Sequence, residues 1–159
     1  DSDTDTDDCD PLDPDPVPGP DCLSGSLECG SSVTATTVGG SDVLDEDLYE
    51  AAFCFIPSAS YGGSERVYAF PLPPDTVATL VLDSPCVDLD LVVVRWEEAD
   101  RCPRSNSLVG ACDADTSAGG GALEDLWGSS HAETRYLVVV DGKNDAEHNF
   151  TLSVHCTGR

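Results

Sequence analysis

Two pairs of aspartates in this sequence have a spacing that suits a metal ion. Asp88 and Asp90 are separated by one residue, as are Asp113 and Asp115, and in an extended chain each pair projects to one side. Calcium takes about six to eight oxygen ligands at about 2.3–2.6 Å, which converging carboxylates supply. We therefore predict a calcium site formed by acids from a strand end and a long loop: Asp88, Asp90, Asp113, Asp115, Glu124 and Asp125.

The alternative for these acids is an ordinary solvated surface, because the whole chain is acidic. It has 159 residues, with 31 acidic and 7 basic side chains and a formal net charge of -24. No EF-hand loop is present to sharpen the calcium prediction. Nucleic acid is not expected as a partner and an anionic membrane surface is disfavoured, since both need clustered Lys and Arg.

Nucleophilic catalysis has little support in the sequence. Ser130 stands beside His131, but catalytic triads assemble in space rather than from neighbours in sequence, and no G-x-S-x-G elbow occurs. Paired carboxylates for glycoside hydrolysis remain open, because acids are abundant. We predict that the chain is not an enzyme.

Two aromatic residues are candidates for a ligand-binding face. Tyr61 and Trp127 lie next to glycines in segments that are expected to be loops. Tyr68 and Tyr136 fall within regular strand patterns, so we expect them to pack in the core. Tyr61 and Trp127 are therefore the predicted contacts for a sugar or a protein.

Eight cysteines, an even number, indicate disulfides in an oxidising compartment. Cys102 and Cys112 are close in sequence, and we predict that they pair. Cys156 is expected to reach back to Cys22 or Cys29, and the remaining pairings stay open. With no apolar run of about 18 residues there is no predicted membrane insertion, and the chain is expected to be a mature exported protein.

The apolar pattern predicts an all-β domain with an extended N-terminal arm. Residues 87–96 alternate and then become continuously apolar, as in a strand that runs from the acidic rim of a sheet into its middle. Further strands are predicted at residues 31–38, 51–56, 65–70 and 76–82, and residues 135–140 and 149–155 are predicted to form a hairpin. Residues 41–50 suit a short helix or a cation-binding loop, and residues 97–126 a long connection. We predict a disulfide-stapled antiparallel β-sandwich or jelly-roll-like fold over residues 29–159.

The arm, residues 1–28, is predicted from its composition. Its first part is rich in aspartate and proline, and like charges and proline rings both keep a chain extended. Such an arm serves either as a tether or as an assembly element.

Residues 64–156 resemble the bacterial pre-peptidase C-terminal domain family in the order and spacing of short stretches. These are Ser64-Glu65-Arg66-Val67-Tyr68-Ala69-Phe70, Val87-Asp88-Leu89-Asp90-Leu91, Cys112-Asp113-Ala114-Asp115, Thr134-Arg135-Tyr136-Leu137-Val138-Val139-Val140-Asp141-Gly142 and Asn149-Phe150-Thr151-Leu152-Ser153-Val154. The resemblance implies a compact β-sandwich found on exported bacterial proteases and surface proteins. Some members bind calcium, and collagen-binding modules are relatives.

Together these observations predict an extracellular or cell-surface structural or adhesive protein without catalytic activity, and a ligand-binding module is the alternative. In the first hypothesis the arm docks on a neighbouring copy, and the protein self-associates into a surface filament. In the second, a monomeric, calcium-stabilised module holds a polysaccharide or a collagen-like matrix protein on an aromatic face.

Overall fold

The computed structural model describes residues 9–16, 22–51, 54, 59–96, 102–103 and 112–159, except for the side chains of Ala51 and Glu124. Two β-sheets pack face to face in this part of the chain, so the predicted all-β sandwich is confirmed. The elements are β1 (Leu23–Ser26), β2 (Ser32–Thr36), α1 (Glu46–Ala51), β3 (Arg66–Leu72), β4 (Thr76–Asp83), β5 (Leu89–Arg95), β6 (Cys112–Asp115), β7 (Gly120–Trp127), β8 (Thr134–Gly142) and β9 (Asn149–Gly158).

One sheet has the strand order β1-β3-β8-β5-β6, and the other has the order β2-β9-β4-β7. The paired strands are antiparallel, apart from the parallel pair of β1 and β3. β1 lies in the segment that the sequence assigned to the arm. Residues 112–127, predicted as part of a long connection, form β6 and β7. No helix in the described ranges is long and apolar enough to cross a membrane.

The predicted central strand is confirmed as β5, which lies between β8 and β6 with residues 89–94 all buried. Leu89, Leu91 and Val93 face the four-stranded sheet across the sandwich. Val92 and Val94 face the opposite side, where a second apolar cluster lies. Each fully buried Val or Leu contributes about 1.5–3 kcal/mol to folding, so a strand covered on both faces anchors the domain.

An outer layer covers this second face of the five-stranded sheet. It contains Leu44, Leu48 and Tyr49 from around α1, and Tyr61 from the loop that follows. α1 confirms the helix alternative for residues 41–50. Asp45, the residue before α1, caps the helix, because its carboxylate accepts a hydrogen bond of 2.9 Å from the Leu48 amide. A strand was predicted at residues 51–56. Residue 51 is instead the last residue of α1, and residues 52–53 and 55–56 lie outside the described residues.

The predicted final hairpin is wrong, because β8 and β9 belong to different sheets. A 3-10 turn at Lys143–Asp145 carries the chain across, with Asn144 and Asp145 at φ of 57° and 61°. A Cβ on Gly142 would overlap the Ala146 carbonyl oxygen, so only glycine fits where the crossing begins. The apolar run of residues 135–140 and the alternation of residues 149–155 predicted both strands correctly, but neither pattern specifies which strands pair.

Candidate functional site

Three carboxyl groups form a row across the outer-layer face of the five-stranded sheet. Asp90 on β5 and Asp141 on β8 are direct cross-strand partners. Glu65 precedes Arg66, which pairs with Val140, so Glu65 comes next to Asp141 on the far side of β8. The three residues are 0% exposed. We call Glu65, Asp141 and Asp90 the acid row.

Two buried tyrosines from the outer layer hydrogen-bond to the acid row. The Tyr49 hydroxyl donates to Asp141 Oδ2 at 2.6 Å, and the Tyr61 hydroxyl donates to Asp90 Oδ2 at 2.5 Å. The two rings meet edge to face, with centroids 5.4 Å apart. These bonds fasten α1 and the following loop to the sheet.

Glu65 holds the chain that leads into α1. Its Oε1 accepts hydrogen bonds from the Ser41 hydroxyl at 2.7 Å, the Val43 amide at 2.9 Å and the Leu44 amide at 3.3 Å. Among the described residues, Glu65 Oε2 and Asp90 Oδ1 are buried without a hydrogen-bond partner. The neighbouring residues therefore meet only part of the hydrogen-bonding capacity of the acid row.

Burial changes the protonation of the acid row. It raises the pKa of Asp141 to about 8, an effect that the Tyr49 hydrogen bond opposes and the Glu65 charge reinforces. Burial also raises the pKa of Asp90 to about 6; the Tyr61 hydrogen bond lowers this pKa, and repulsion from the Asp88 charge raises it further. The pKa of Glu65 is raised by burial as well. Near neutral pH, Asp141 is largely protonated and lies out of reach of a substrate, which suits a structural role.

The structure does not bring the predicted calcium ligands together. Asp113 and Asp115 lie opposite Val93 and Leu91, which face the other sheet. Asp90 projects to the outer-layer side of the same strand, so the β pleat places Asp113 and Asp115 on the opposite face from Asp90, although the Asp115 charge still acts on Asp90. Asp88 precedes β5 and is partly buried. Within the described ranges, no group of three or more Asp, Glu, His or Cys side chains is placed to hold a metal ion.

The remaining predicted ligands have other surroundings. Asp115 accepts hydrogen bonds from the amides of Ser117 at 2.8 Å and Ala122 at 3.0 Å, and so stabilises the turn before β7. Asp125 is exposed and has a φ of 58°. The side chain of Glu124 lies outside the described residues. Calcium binding stays a prediction.

The two predicted aromatic ligand contacts do not share a surface. Tyr61 is 0% exposed because its ring fills the outer layer, so its prediction as a surface contact is wrong. Trp127 is 50% exposed at the end of β7, with the Arg159 guanidinium 4.0 Å from its ring centroid. Trp127 therefore remains a surface candidate.

The predicted pairing of Cys102 with Cys112 is wrong. The structure pairs Cys22 with Cys102, Cys54 with Cys112, Cys9 with Cys86 and Cys29 with Cys156. The last pair confirms one of the two alternatives for Cys156. The partners of Cys102 and Cys112 are buried cysteines of the outer apolar cluster that lie far away in sequence. Closeness in sequence does not predict such long-range pairs. Four disulfides are consistent with an extracellular or periplasmic location.

Residues 9–16 of the arm lie against their own domain. Cys9 is bonded to Cys86, and the Asn149 side chain binds the arm backbone twice, accepting from the Leu12 amide at 3.0 Å and donating to the Asp10 carbonyl at 2.5 Å. The buried Arg66 donates to the Asp15 carbonyl at 2.7 Å.

Between this arm and the four-stranded sheet is a cavity of about 390 Å³. We call it the arm cavity. Its walls include Asp10, Leu12, Thr34, Asp83, Pro85 and Thr151.

Glu65 and Asp141 of the acid row, the Tyr49 hydroxyl that donates to Asp141, and the arm cavity were not predicted from the sequence. One signal for Asp141 was present: it shares the two-residue period of Leu137 and Val139, which are buried in the outer cluster. An acid on the buried side of a strand indicates a polar partner from another element.

No protein-family model matches the chain, and a comparison with curated proteins gives no significant match. Among the solved structures that match, PliG from Aeromonas hydrophila, a periplasmic inhibitor of g-type lysozyme, has a TM-score of 0.46 and 10% identity, covering 86% of this chain and 99% of its own. The pre-peptidase C-terminal domain of a Bacillus anthracis collagenase has a TM-score of 0.37 and 10% identity, covering 83% of this chain and 95% of its own. At this level of similarity, neither protein indicates what this chain binds.

Proposed function

We propose that this chain is a non-catalytic extracellular binding module that works as a single folded unit. The observation that carries the proposal is the attachment of arm residues 9–16 to their own domain through Cys9–Cys86, Asn149 and Arg66. An arm held in this way is occupied within its own molecule, so it is poorly suited to joining a neighbouring copy. This favours the monomeric module over the filament.

The placement of the reactive groups also supports a binding role. The acid row has the side chains best suited to acid–base chemistry, and its residues are 0% exposed and held by tyrosines or backbone amides. The outer surface instead offers acidic side chains and the half-exposed Trp127. Such a surface suits a partner that docks without being transformed.

Sedimentation of the native chain, with and without a calcium chelator, tests the proposal. We expect one monomeric species in both conditions. Concentration-dependent polymers that disappear on deletion of residues 1–28 would instead support the filament hypothesis. A chelator-induced loss of thermal stability would support the predicted calcium site.

Binding to immobilised polysaccharides and collagen tests the module itself. We expect saturable binding to one polymer class, weakened by Trp127→Ala. Tyr136→Phe is a matched control, because it leaves the Trp127 ring in place and removes only a hydroxyl that donates to the Trp127 carbonyl at 3.1 Å. Absence of saturable binding to any presented polymer or protein would contradict the proposal.

A further inference from the structure

The arm cavity has a polar floor that follows from strand register. Thr151 on β9 lies between Thr34 on β2 and Asp83 on β4 as the cross-strand partner of both. The hydroxyl oxygens of Thr34 and Thr151 are 3.0 Å apart. Paired residues project to the same face of a sheet, so these hydroxyls and the Asp83 carboxylate form one row under the arm.

The opposite wall supplies a second acid and an apolar surface. Asp10 and Leu12 belong to the arm, and Pro85 belongs to the turn after β4. Leu12 is 41% exposed, whereas most of the large apolar side chains in the described ranges are buried. Among the described residues that line the cavity, two are acidic and none is basic, so these residues supply no countercharge to Asp10 and Asp83.

The cavity is formed before any ligand arrives. The Cys9–Cys86 bond fixes one end of the arm wall, and Asn149, itself 7% exposed, holds the backbone on both sides of residue 11. A preformed wall has little conformational entropy left to lose on binding. Its volume also lies in the range of about 300–1,000 Å³ that is typical of ligand sites.

We propose that the arm cavity binds a lysine or arginine side chain presented by a basic segment of a partner protein. The carboxylates of Asp10 and Asp83 suit the cationic head group, and Leu12 and Pro85 suit its methylene stem. A neutral ligand would remove water from both carboxylates without supplying a countercharge. The net charge of -24 attracts a basic partner at long range. This inference rests on the proposed binding function and specifies one subsite and its ligand class.

Nuclear magnetic resonance titration of the full chain tests this subsite. The probes are acetyl-Gly-Lys-Gly-amide, its norleucine counterpart and n-butylamine, all at low salt. We expect saturable shifts of the Thr34, Asp83 and Thr151 amides with the lysine peptide and none with norleucine. Asp83→Asn should raise the dissociation constant of the lysine peptide about fivefold, as the loss of one partly exposed ion pair does. Asp113→Asn, on the other sheet, should leave it unchanged.

Three outcomes would overturn the inference: shifts spread over the whole acidic surface, equal weakening by Asp83→Asn and Asp113→Asn, or n-butylamine binding as tightly as the peptide. The first two mean non-specific attraction, and the third means a free amine as ligand. If the lysine peptide fails while the chain still binds a polymer through Trp127, the arm-cavity inference falls and the binding module stands. If the peptide binds at the cavity and no polymer binds at all, the cavity is a binding surface and the surface around Trp127 is not.

Discussion

Replacing Asp141 by Asn should remove most of the pH dependence of unfolding free energy between pH 5 and pH 8. Burial raises the pKa of Asp141 to about 8 in the folded domain, whereas an aspartate in the unfolded chain titrates near about 3.9. The folded state keeps a proton that the unfolded chain releases, so this stabilisation is complete below about pH 4 and is lost as the pH rises through about 8.

The size of the effect follows from the same linkage. Between pH 8 and pH 5 the wild-type domain should gain about 3–4 kcal/mol from Asp141. Asp90, whose pKa is raised to about 6, should add about 1 kcal/mol in the same direction. Asparagine does not bind the proton, so Asp141→Asn should keep only the contributions of Asp90 and of Glu65, whose pKa burial also raises.

Guanidinium unfolding at pH 5 and pH 8, with the disulfides intact, measures these differences. Comparing the two pH values within each variant cancels any pH-independent cost of the substitution, such as a disturbed hydrogen bond from the Gly142 amide to Asp141. Asp113→Asn is the matched control, because Asp113 is exposed, and it should behave as the wild type does. A full wild-type pH dependence in Asp141→Asn would refute the assignment of the buried proton to this residue.

Three further predictions concern the packing of the domain. Tyr61→Phe should lower the unfolding free energy by about 1–3 kcal/mol, because Asp90 loses its hydroxyl donor while buried; an unchanged value in chemical denaturation would contradict this bond. Non-reducing digestion and mass spectrometry should find peptides linked through Cys54–Cys112 and Cys22–Cys102, and a Cys102–Cys112 peptide would contradict the structure. Gly120→Ala should destabilise by at least about 2 kcal/mol, since Gly120 has a φ of 115° and its Cβ would meet the Leu82 carbonyl oxygen. Thermal unfolding measures this loss, and Gly158→Ala, with no atom near its Cβ position, should be neutral in that assay.

Local patterns were sufficient for much of the fold. The apolar run of β5 predicted a strand covered on both faces, and residues 89–94 are buried. The alternation in residues 149–155 likewise predicted β9. Burial of one face requires apolar side chains at a fixed period, so strands and their inward residues are readable from neighbouring positions alone.

The candidate site was less accessible to such patterns. Asp88 and Asp90 were expected on an exposed rim, yet Asp90 is buried against Tyr61, a residue 29 positions away. The partner of Asp141, Tyr49, is 92 positions away. A carboxyl group that is buried by a distant element looks the same in sequence as one that faces water.

The sequence by itself determined the class of this domain: an acidic, disulfide-bonded chain whose strands carry a two-residue apolar period. Only the tertiary structure decided that β8 and β9 lie in different sheets, that Cys102 and Cys112 have separate distant partners, and that the arm closes a cavity over β2, β9 and β4. The physical reason is that periodicity records only whether a side chain is buried. Register, cross-links and cavities depend on which remote segment covers it, and that choice is made by the packing of the whole chain.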